Sequence, residues 1–176
     1  ITLNKNTPTM DIINEKVIKD FAGTTLVDIA LSKLVDSTLI PNNQIYFSVY
    51  DEELIDIGKK YPINIFNRSY ESANIDGGMN IMFEWYNKLP YKYVISLNPC
   101  LPFLKVDTIN NFLKKYMEIK EDGLFGVIEK KNYFWNKDGE MLNQWPKGED
   151  LINTKAVDIT YEAAHCLYAG RMSKIG

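Results

Sequence analysis

One asparagine, Asn98, lies where a buried strand ends, and it is the strongest candidate for a binding residue. Residues 94–97 read Val-Ile-Ser-Leu, a short and mostly apolar run typical of a buried central strand. Pro99 and Pro102 then stop the strand, because proline cannot donate a hydrogen bond to a sheet ladder. Open α/β sheets bind ligands at the carboxyl ends of their strands, and an amide offers both a donor and an acceptor. This pattern is equally consistent with a ligand contact by Asn98 and with an ordinary strand-to-helix connection.

The chain has one histidine, His165, which limits the catalytic chemistry. A serine triad would need this imidazole, but the sequence contains no GxSxG motif. It also contains no GxGxxG, GxxxxGKS/T or HExxH motif. His165 and Cys166 are adjacent, so in a strand their side chains point to opposite faces and make a poor metal pair. The residues leave two main alternatives, a structural histidine or one that contacts a ligand.

Length and composition are typical of one soluble globular domain. The 176 residues are 45% hydrophobic and 24% charged, so we predict a single domain over residues 1–176. The start at Ile1, without an initiator methionine, leads us to expect that the chain is incomplete at both ends. The net charge of −3 argues against nucleic acid as a partner, and no apolar run approaches the roughly 20 residues of a membrane span. Cys100 and Cys166 form no CxxC motif, so we expect free thiols in a reducing, cytoplasmic compartment.

Helical and strand patterns alternate along the first 120 residues. Helices are predicted near residues 25–35, 51–60, 79–89 and 107–117, and strands near 44–50, 63–66 and 94–97. The last third is rich in strand-type residues, with strands near 123–129 and 161–169 and a hairpin near 133–139. The alternation predicts an α/β fold with a mainly parallel, helix-covered sheet and a β-rich C-terminal excursion.

Several segments, taken in order, resemble the cytidylyltransferase family that activates acylneuraminates and related nine-carbon acid sugars. In that family a segment like KNIKDFxGKPL precedes the first long helix, and a strand leads into STDDEEIAEIAKKYG. The matching segments here are KVIKDFAGTTL (16–26), SVYDEELIDIGKKY (48–61), FNR (66–68), LNPCLPF (97–103), the aromatic and Asp-Gly pair of the hairpin (134–139), NTK (153–155) and YEAAHCLY (161–168). The resemblance covers nearly the whole chain.

The resemblance implies a three-layer αβα fold with a Rossmann-like sheet of the nucleotide-diphospho-sugar transferase type. It also implies that CTP and an acidic sugar are the substrates, that Mg2+ is the cofactor, and that the transfer of CMP releases pyrophosphate. Carried over residue by residue, it assigns nucleotide binding to Lys16, Arg68 and Asn98 and substrate binding to Glu162 and His165. For Lys16 and Arg68 a solvated lysine and a surface ion pair remain the alternatives.

Similar family members dimerise through their C-terminal region, and this chain carries several aromatic residues there. They are Tyr133, Phe134, Trp135 and Trp145. Exposed aromatic patches often mark interfaces between proteins. We therefore predict a homodimer.

The chain departs from the family in the loop that would hold the phosphates. Such enzymes carry a glycine- and arginine-rich loop after the first strand, but residues 3–14 contain no glycine and no arginine, and Lys5 is their one basic residue. Glycines let backbone N–H groups approach phosphates, and cations neutralise them. The aspartate pair that holds the metal in the family is expected beyond Gly176, so the sequence shows no metal ligands. Two hypotheses follow: a cytidylyltransferase of acidic sugars, or a non-catalytic homologue that binds a nucleotide or sugar or serves as an interaction domain.

Overall fold

Helices and strands alternate along the computed structural model, which describes residues 17–75, 77–144, 148 and 153–174. The helices are α1 (Leu26–Asp36), α2 (Glu52–Gly58), α3 (Tyr70–Asn74), α4 (Met79–Met82) and α5 (Val106–Ile119). The strands are β1 (Tyr46–Val49), β2 (Asn64–Asn67), β3 (Tyr93–Leu97), β4 (Gly123–Lys130) and β5 (Thr160–Arg171). Short 3-10 turns lie at Asn42–Gln44, Glu84–Asn87 and Met172–Lys174. This order confirms the predicted α/β class.

Helix α1 begins at the cap that its sequence predicts. The Thr25 hydroxyl oxygen accepts a hydrogen bond from the backbone N–H of Asp28 at 3.0 Å. This bond pairs one of the first N–H groups, which have no acceptor within the helix itself. Asp28 also places a negative charge in the first turn, where the helix dipole favours it. Val27, Ala30 and Leu31 are buried on one face. Capping and spacing together therefore account for this helix.

Strands β1 and β2 form a parallel pair, with Tyr46 opposite Asn64 and Val49 opposite Asn67. Parallel strands need a helical crossover, and α2 supplies it. Gly58, the last residue of α2, permits close packing because an added Cβ would meet Ile65 Cδ1 at 2.5 Å and Phe47 Cδ1 at 2.7 Å. Helix and sheet therefore pack at a distance that other residues would prevent.

The C-terminal strands form a second sheet in the order β3-β5-β4. Strand β5 runs antiparallel to β3, with Tyr93 opposite Arg171 and Leu97 opposite Leu167. The predicted addition of β-structure after the parallel part is thus confirmed. Its hairpin is present too: Trp135 pairs with Met141, and Gly139 takes a positive φ of 83° in the connecting turn.

The helix expected near residues 79–89 is shorter than its pattern suggests. It ends at Met82, and the chain continues as a 3-10 turn over Glu84–Asn87. Phe83 between them has φ −109° and ψ 47°, outside the helical region. Helix α5 begins at Val106, one residue before the predicted start; Lys105 occupies its N-cap position, and Asp107 lies in its first turn.

The chain divides into two compact units. The smaller unit is Gly126–His165, and the larger one comprises the residues up to Phe125 and from Cys166 onward. The buried core of the larger unit includes Val27, Leu31, Phe47, Ile109 and Leu113. Whether both units form one domain, as the sequence leads us to expect, stays a prediction. No helix in the described part of the chain has the length and apolar character needed to cross a membrane.

Candidate nucleotide site

Asn98 directly follows β3, and hydrogen bonds fix both its backbone and its side chain. Its backbone N–H donates to the carbonyl of Cys166 at 2.9 Å, which extends the ladder between β3 and β5 by one step. Its side-chain oxygen accepts from the backbone N–H of Cys100 at 3.0 Å and so closes an Asx turn. Leu97 and Pro99 on either side are buried, while Asn98 is half-buried. The side chain is therefore held at the strand end, as the sequence predicts, and it also forms the turn that was its alternative role.

Arg68 follows β2, but its side chain is buried rather than directed to solvent. Only 4% of the residue is exposed. Its Nε donates to the Ser72 hydroxyl at 3.0 Å, and one terminal nitrogen donates to the Ser72 carbonyl and, at 3.0 Å, to the Met82 carbonyl. These contacts tie the end of β2 to α3 and α4. The role that the geometry displays is structural, and nucleotide binding by Arg68 stays a prediction.

Electrostatics around Arg68 agree with a buried but charged guanidinium. Burial lowers the pKa of Arg68 to about 10, and the carboxylates of Glu84 and Asp51 oppose that shift. Glu84 also accepts a hydrogen bond from the Ser69 N–H at 2.6 Å and forms an ion pair with Lys88 at 2.9 Å. Burial raises the pKa of Glu84, but the hydrogen bonds from Lys88 and Ser69 outweigh it and leave the pKa below its ordinary value. The segment after β2 is thus organised around two opposite charges, the Arg68 guanidinium and the Glu84 carboxylate.

Two exposed tyrosines lie at the carboxyl ends of the parallel strands, and the sequence analysis missed them. Tyr50 follows β1 and Tyr70 begins α3 after β2, with ring centroids 6.2 Å apart in an edge-to-face arrangement. Both rings are exposed. Aromatic faces at such a position can stack against a base or a sugar ring. The available signal was their place near strand ends, since Tyr50 ends one predicted strand and Tyr70 lies four residues after the next.

Glu162 and His165, the predicted substrate residues, belong to the smaller unit. Both are exposed, and the Glu162 carboxylate pairs with Lys130 Nζ at 3.0 Å. His165 has a φ of 51°, a left-handed conformation that breaks the regular alternation of β5. Their part in substrate binding stays a prediction. Lys16, the third predicted nucleotide residue, lies outside the described residues.

Metal ligands do not cluster in the part of the chain that the structure describes. There, no group of three or more His, Cys, Asp or Glu side chains could hold a metal ion. The Mg2+ site that the family resemblance implies stays a prediction. Within the described residues, neither Cys100, which is half-buried, nor Cys166, which is buried, forms a disulfide.

The aromatic residues predicted to form a dimer interface differ in exposure. Tyr133 is buried and its hydroxyl donates to the Asn153 carbonyl at 3.2 Å, so it serves the interior of the smaller unit. Phe134 and Trp135 are exposed and can contact a partner. Trp145 lies outside the described residues. The homodimer itself stays a prediction.

Comparison with known proteins rests on structure alone. No family model matches this sequence, and no curated protein matches it either. A CMP:2-keto-3-deoxy-manno-octonic acid synthetase, solved in complex with CTP, superposes with a TM-score of 0.61 at 12% identity, covering 97% of this chain and 70% of that one. A 4-diphosphocytidyl-2C-methyl-D-erythritol synthase from Anaerococcus prevotii gives 0.59 at 17% identity, covering 90% of this chain and 67% of that one.

A third similar structure is a cytidylyltransferase from Leptospira borgpetersenii, with a TM-score of 0.50 at 12% identity, covering 90% of this chain and 54% of that one. Sequence identities this low establish a common fold and leave the activity open. The chain therefore has the α/β fold of these cytidylyltransferase structures.

Proposed function

We propose that this chain binds CTP and transfers CMP to an acidic sugar of the acylneuraminate type, with release of pyrophosphate. The observation that carries the proposal is the position of Asn98, held by the Cys166 carbonyl and the Cys100 N–H at the end of β3. An amide in that place can accept from the exocyclic amine of cytosine and donate to a ring acceptor. The synthetase of similar fold that was solved in complex with CTP supports the choice of this nucleotide.

In the proposed reaction a sugar hydroxyl oxygen attacks the α-phosphorus of CTP. A new P–O bond forms, the bond between the α-phosphorus and the bridging oxygen to the β-phosphate breaks, and pyrophosphate leaves. The hydroxyl proton passes to solvent. The reaction depends mainly on positioning and on neutralisation of the phosphate charges. Among the described residues we assign positioning of the base to Asn98 and, as candidates for ring contacts, name Tyr50 and Tyr70.

Three further parts of the proposal rest on the sequence. A requirement for Mg2+ and a homodimer follow from the family resemblance, and a cytoplasmic location follows from the two cysteines, which form no CxxC motif. Since the described side chains contain no cluster that fits a metal, no step above is routed through Mg2+. Its involvement would appear as a dependence of CTP affinity on added Mg2+.

A non-catalytic homologue is the second candidate, and one observation favours it. Arg68, the cation expected beside the nucleotide, is buried, and its described hydrogen bonds go to Ser72 and Met82. A domain that binds CTP or a sugar without turning it over would need no exposed cation at this place. Binding and turnover must therefore be measured separately.

Calorimetry with CTP, UTP, ATP and GTP, each with and without Mg2+, tests the binding part of the proposal. We expect CTP to bind at least 10-fold more tightly than UTP, because the two bases differ in the group that the amide would contact, a difference of about 1.4 kcal/mol. Equal affinities for all four nucleotides, or no binding, would remove the basis for a CTP-dependent function.

A further inference from the structure

Two exposed tyrosines stand side by side where the parallel strands β1 and β2 end. The ring centroids of Tyr50 and Tyr70 lie 6.2 Å apart, and the ring planes make an angle of 74°. Tyr50 is 39% exposed and Tyr70 is 57% exposed, so both side chains keep surface open to solvent. Two nearly perpendicular rings form a corner in which one small group can touch both. Tyr50 and Tyr70 are called the tyrosine pair below.

Hydrogen bonds fix the backbone that carries the tyrosine pair. The Arg68 N–H donates to the Val49 carbonyl at 2.8 Å and so ties the end of β2 to the end of β1. The Ser69 N–H, directly before Tyr70, donates to Glu84 Oε1 at 2.6 Å. The fold therefore sets the position of the pair, and a site that is already ordered loses little entropy when a ligand binds.

Acidic residues directly follow each member of the tyrosine pair. After the first ring come Asp51, Glu52 and Glu53, of which the last two lie in the first turn of α2. After the second ring comes Glu71, in the first turn of α3. Glu52, Glu53 and Glu71 are exposed. Because like charges repel, an anionic group such as a phosphate or a carboxylate is disfavoured beside these rings, and a cationic group is favoured.

The one cation of these two segments does not offset the exposed carboxylates. Residues 49–53 and 67–75 contain a single Lys or Arg, which is Arg68. Arg68 is buried, and the carboxylates of Glu84 and Asp51 already act on its guanidinium. The exposed surface beside the tyrosine pair therefore keeps a net negative charge.

We propose that the tyrosine pair binds an organic ammonium group, and that the acid sugar of the proposed reaction carries an amine that binds there. A cation within about 6 Å of a tyrosine centroid is attracted to the negative face of the ring. The neighbouring carboxylates add to that attraction, whereas a neutral sugar would use the ring faces alone. The part about the sugar rests on the proposed function, and the ammonium site stands without it.

Titration of the unaltered chain with tetramethylammonium chloride, followed by 15N NMR, tests the ammonium site. tert-Butyl alcohol is a neutral molecule of nearly the same shape, and sodium chloride controls for ionic strength. We expect saturating shifts at the amides of Tyr50, Asp51, Tyr70 and Glu71, and an affinity for tetramethylammonium at least about 5-fold higher than for the alcohol. Equal affinities for the two molecules, or shifts only at other residues, would overturn the proposal.

Two substitutions of Tyr70 separate the aromatic face from mere apolar area. Tyr70→Phe keeps the face, so the affinity for tetramethylammonium should change by less than about 2-fold, whereas Tyr70→Leu should lower it by at least about 3-fold. Tyr161→Leu is the control, because Tyr161 is 66% exposed but belongs to the smaller unit, and the affinity should stay the same. Equal losses in Tyr70→Phe and Tyr70→Leu, or the same loss in Tyr161→Leu, would contradict the proposal.

Calorimetry in the presence of CTP tests the amine on the sugar. Acetylneuraminate is compared with an acetylneuraminate whose terminal hydroxyl is replaced by an amine, which is charged at neutral pH. We expect the amine-bearing sugar to bind at least about 10-fold more tightly, and this preference to disappear in Tyr70→Leu.

The outcomes distinguish a failure of this inference from a failure of the proposed function. If CTP and both sugars bind without a preference for the amine, the amine-bearing sugar is wrong and the proposed function stands. If tetramethylammonium binds as expected but CTP does not bind, the ammonium site is confirmed, and the proposed function falls together with its sugar.

Discussion

The Arg68 guanidinium donates a hydrogen bond to the Met82 carbonyl at 3.0 Å. In a continuous helix that carbonyl would accept from the Tyr86 N–H, but Tyr86 bonds instead to the Phe83 carbonyl at 2.9 Å. The Ser72 hydroxyl also donates to Met82, at 3.2 Å. Helices as short as α3 and α4 are not stable by themselves. A single buried cation therefore contacts two short helices and the break at Phe83 that follows the second of them.

Replacing Arg68 should cost more stability than replacing an exposed residue. Arg68→Ala leaves Ser72 and the Met82 carbonyl without this partner, so we expect a loss of about 2–4 kcal/mol in the free energy of unfolding. Arg68→Lys keeps the charge but not the planar guanidinium. Its free energy of unfolding should therefore lie between those of the unaltered chain and of Arg68→Ala. Chemical denaturation measures both.

Lys115→Ala is the control for Arg68, because Lys115 pairs with Glu118 in an exposed i,i+3 ion pair at 3.1 Å. Exposed ion pairs of this kind contribute little to stability, so we expect the free energy of unfolding to change by less than about 0.5 kcal/mol. A loss for Arg68→Ala no greater than that for Lys115→Ala would refute the structural role of Arg68.

Local signals in the sequence account for the parts of the fold that were predicted. Thr25 and the apolar residues after it specify α1 by a cap and a spacing that need no other segment. The aromatic and β-branched residues before Asp51 likewise specify β1. The sequence does not predict the break at Phe83, because the partner of the Met82 carbonyl is Arg68, 14 residues earlier, and local spacing carries no sign of that contact. A sequence can show that Asn98 ends a strand, but not which hydrogen bonds its amide makes.

Asn98 offers a way to separate base recognition from the turn. Asn98→Asp keeps the oxygen that accepts from the Cys100 N–H but removes the amide donor. We expect both Asn98→Asp and Asn98→Ala to weaken CTP binding by about 1–3 kcal/mol, while only Asn98→Ala also loosens the turn. Calorimetry gives the affinities and thermal denaturation the stability. Unchanged CTP affinity in Asn98→Asp would show that the amide does not read the base.

The raised pKa of Tyr61 predicts how stability changes with pH in the alkaline range. Burial, together with a hydrogen bond to Asp28 at 2.8 Å, raises the pKa of Tyr61 to about 12. A pKa that is higher in the folded state means that the folded protein binds the proton more tightly. The stabilisation is therefore complete below about pH 10, the pKa of an unfolded tyrosine, and is lost as the pH rises toward 12.

The check is the free energy of unfolding between pH 9 and pH 11.5, for the unaltered chain and for Tyr61→Phe. Because phenylalanine has no proton to lose, the variant should lose less stability over this range than the unaltered chain does. All other side chains are the same in both proteins, so their contributions cancel in the comparison. Parallel curves for the two proteins would rule out the predicted shift.

Self-association should depend on the exposed aromatic residues of the hairpin. If Phe134 and Trp135 form the interface of the proposed homodimer, Trp135→Asp should shift the chain from dimer to monomer at tens of micromolar, because a buried unpaired charge is costly. Phe103→Ser is the matched control, since Phe103 is 87% exposed but lies in the larger unit. Light scattering reports the mass. A monomer before any substitution would count against the dimer altogether.

Residues 1–176 should bind CTP, and they should transfer CMP much more slowly than a synthetase of the similar fold. Phosphoryl transfer develops charge that cations and backbone N–H groups must compensate, and loss of one such group alone costs about 10²–10³ in rate. Residues 3–14 contain neither glycine nor arginine, Arg68 is buried, and the described residues contain no metal cluster. A pyrophosphate-release assay with CTP, Mg2+ and a panel of acid sugars, including acetylneuraminate and 2-keto-3-deoxy-manno-octonic acid, measures turnover. A synthetase of the similar fold is the positive control, and a rate within 10-fold of it would show that other cations in this chain neutralise the triphosphate.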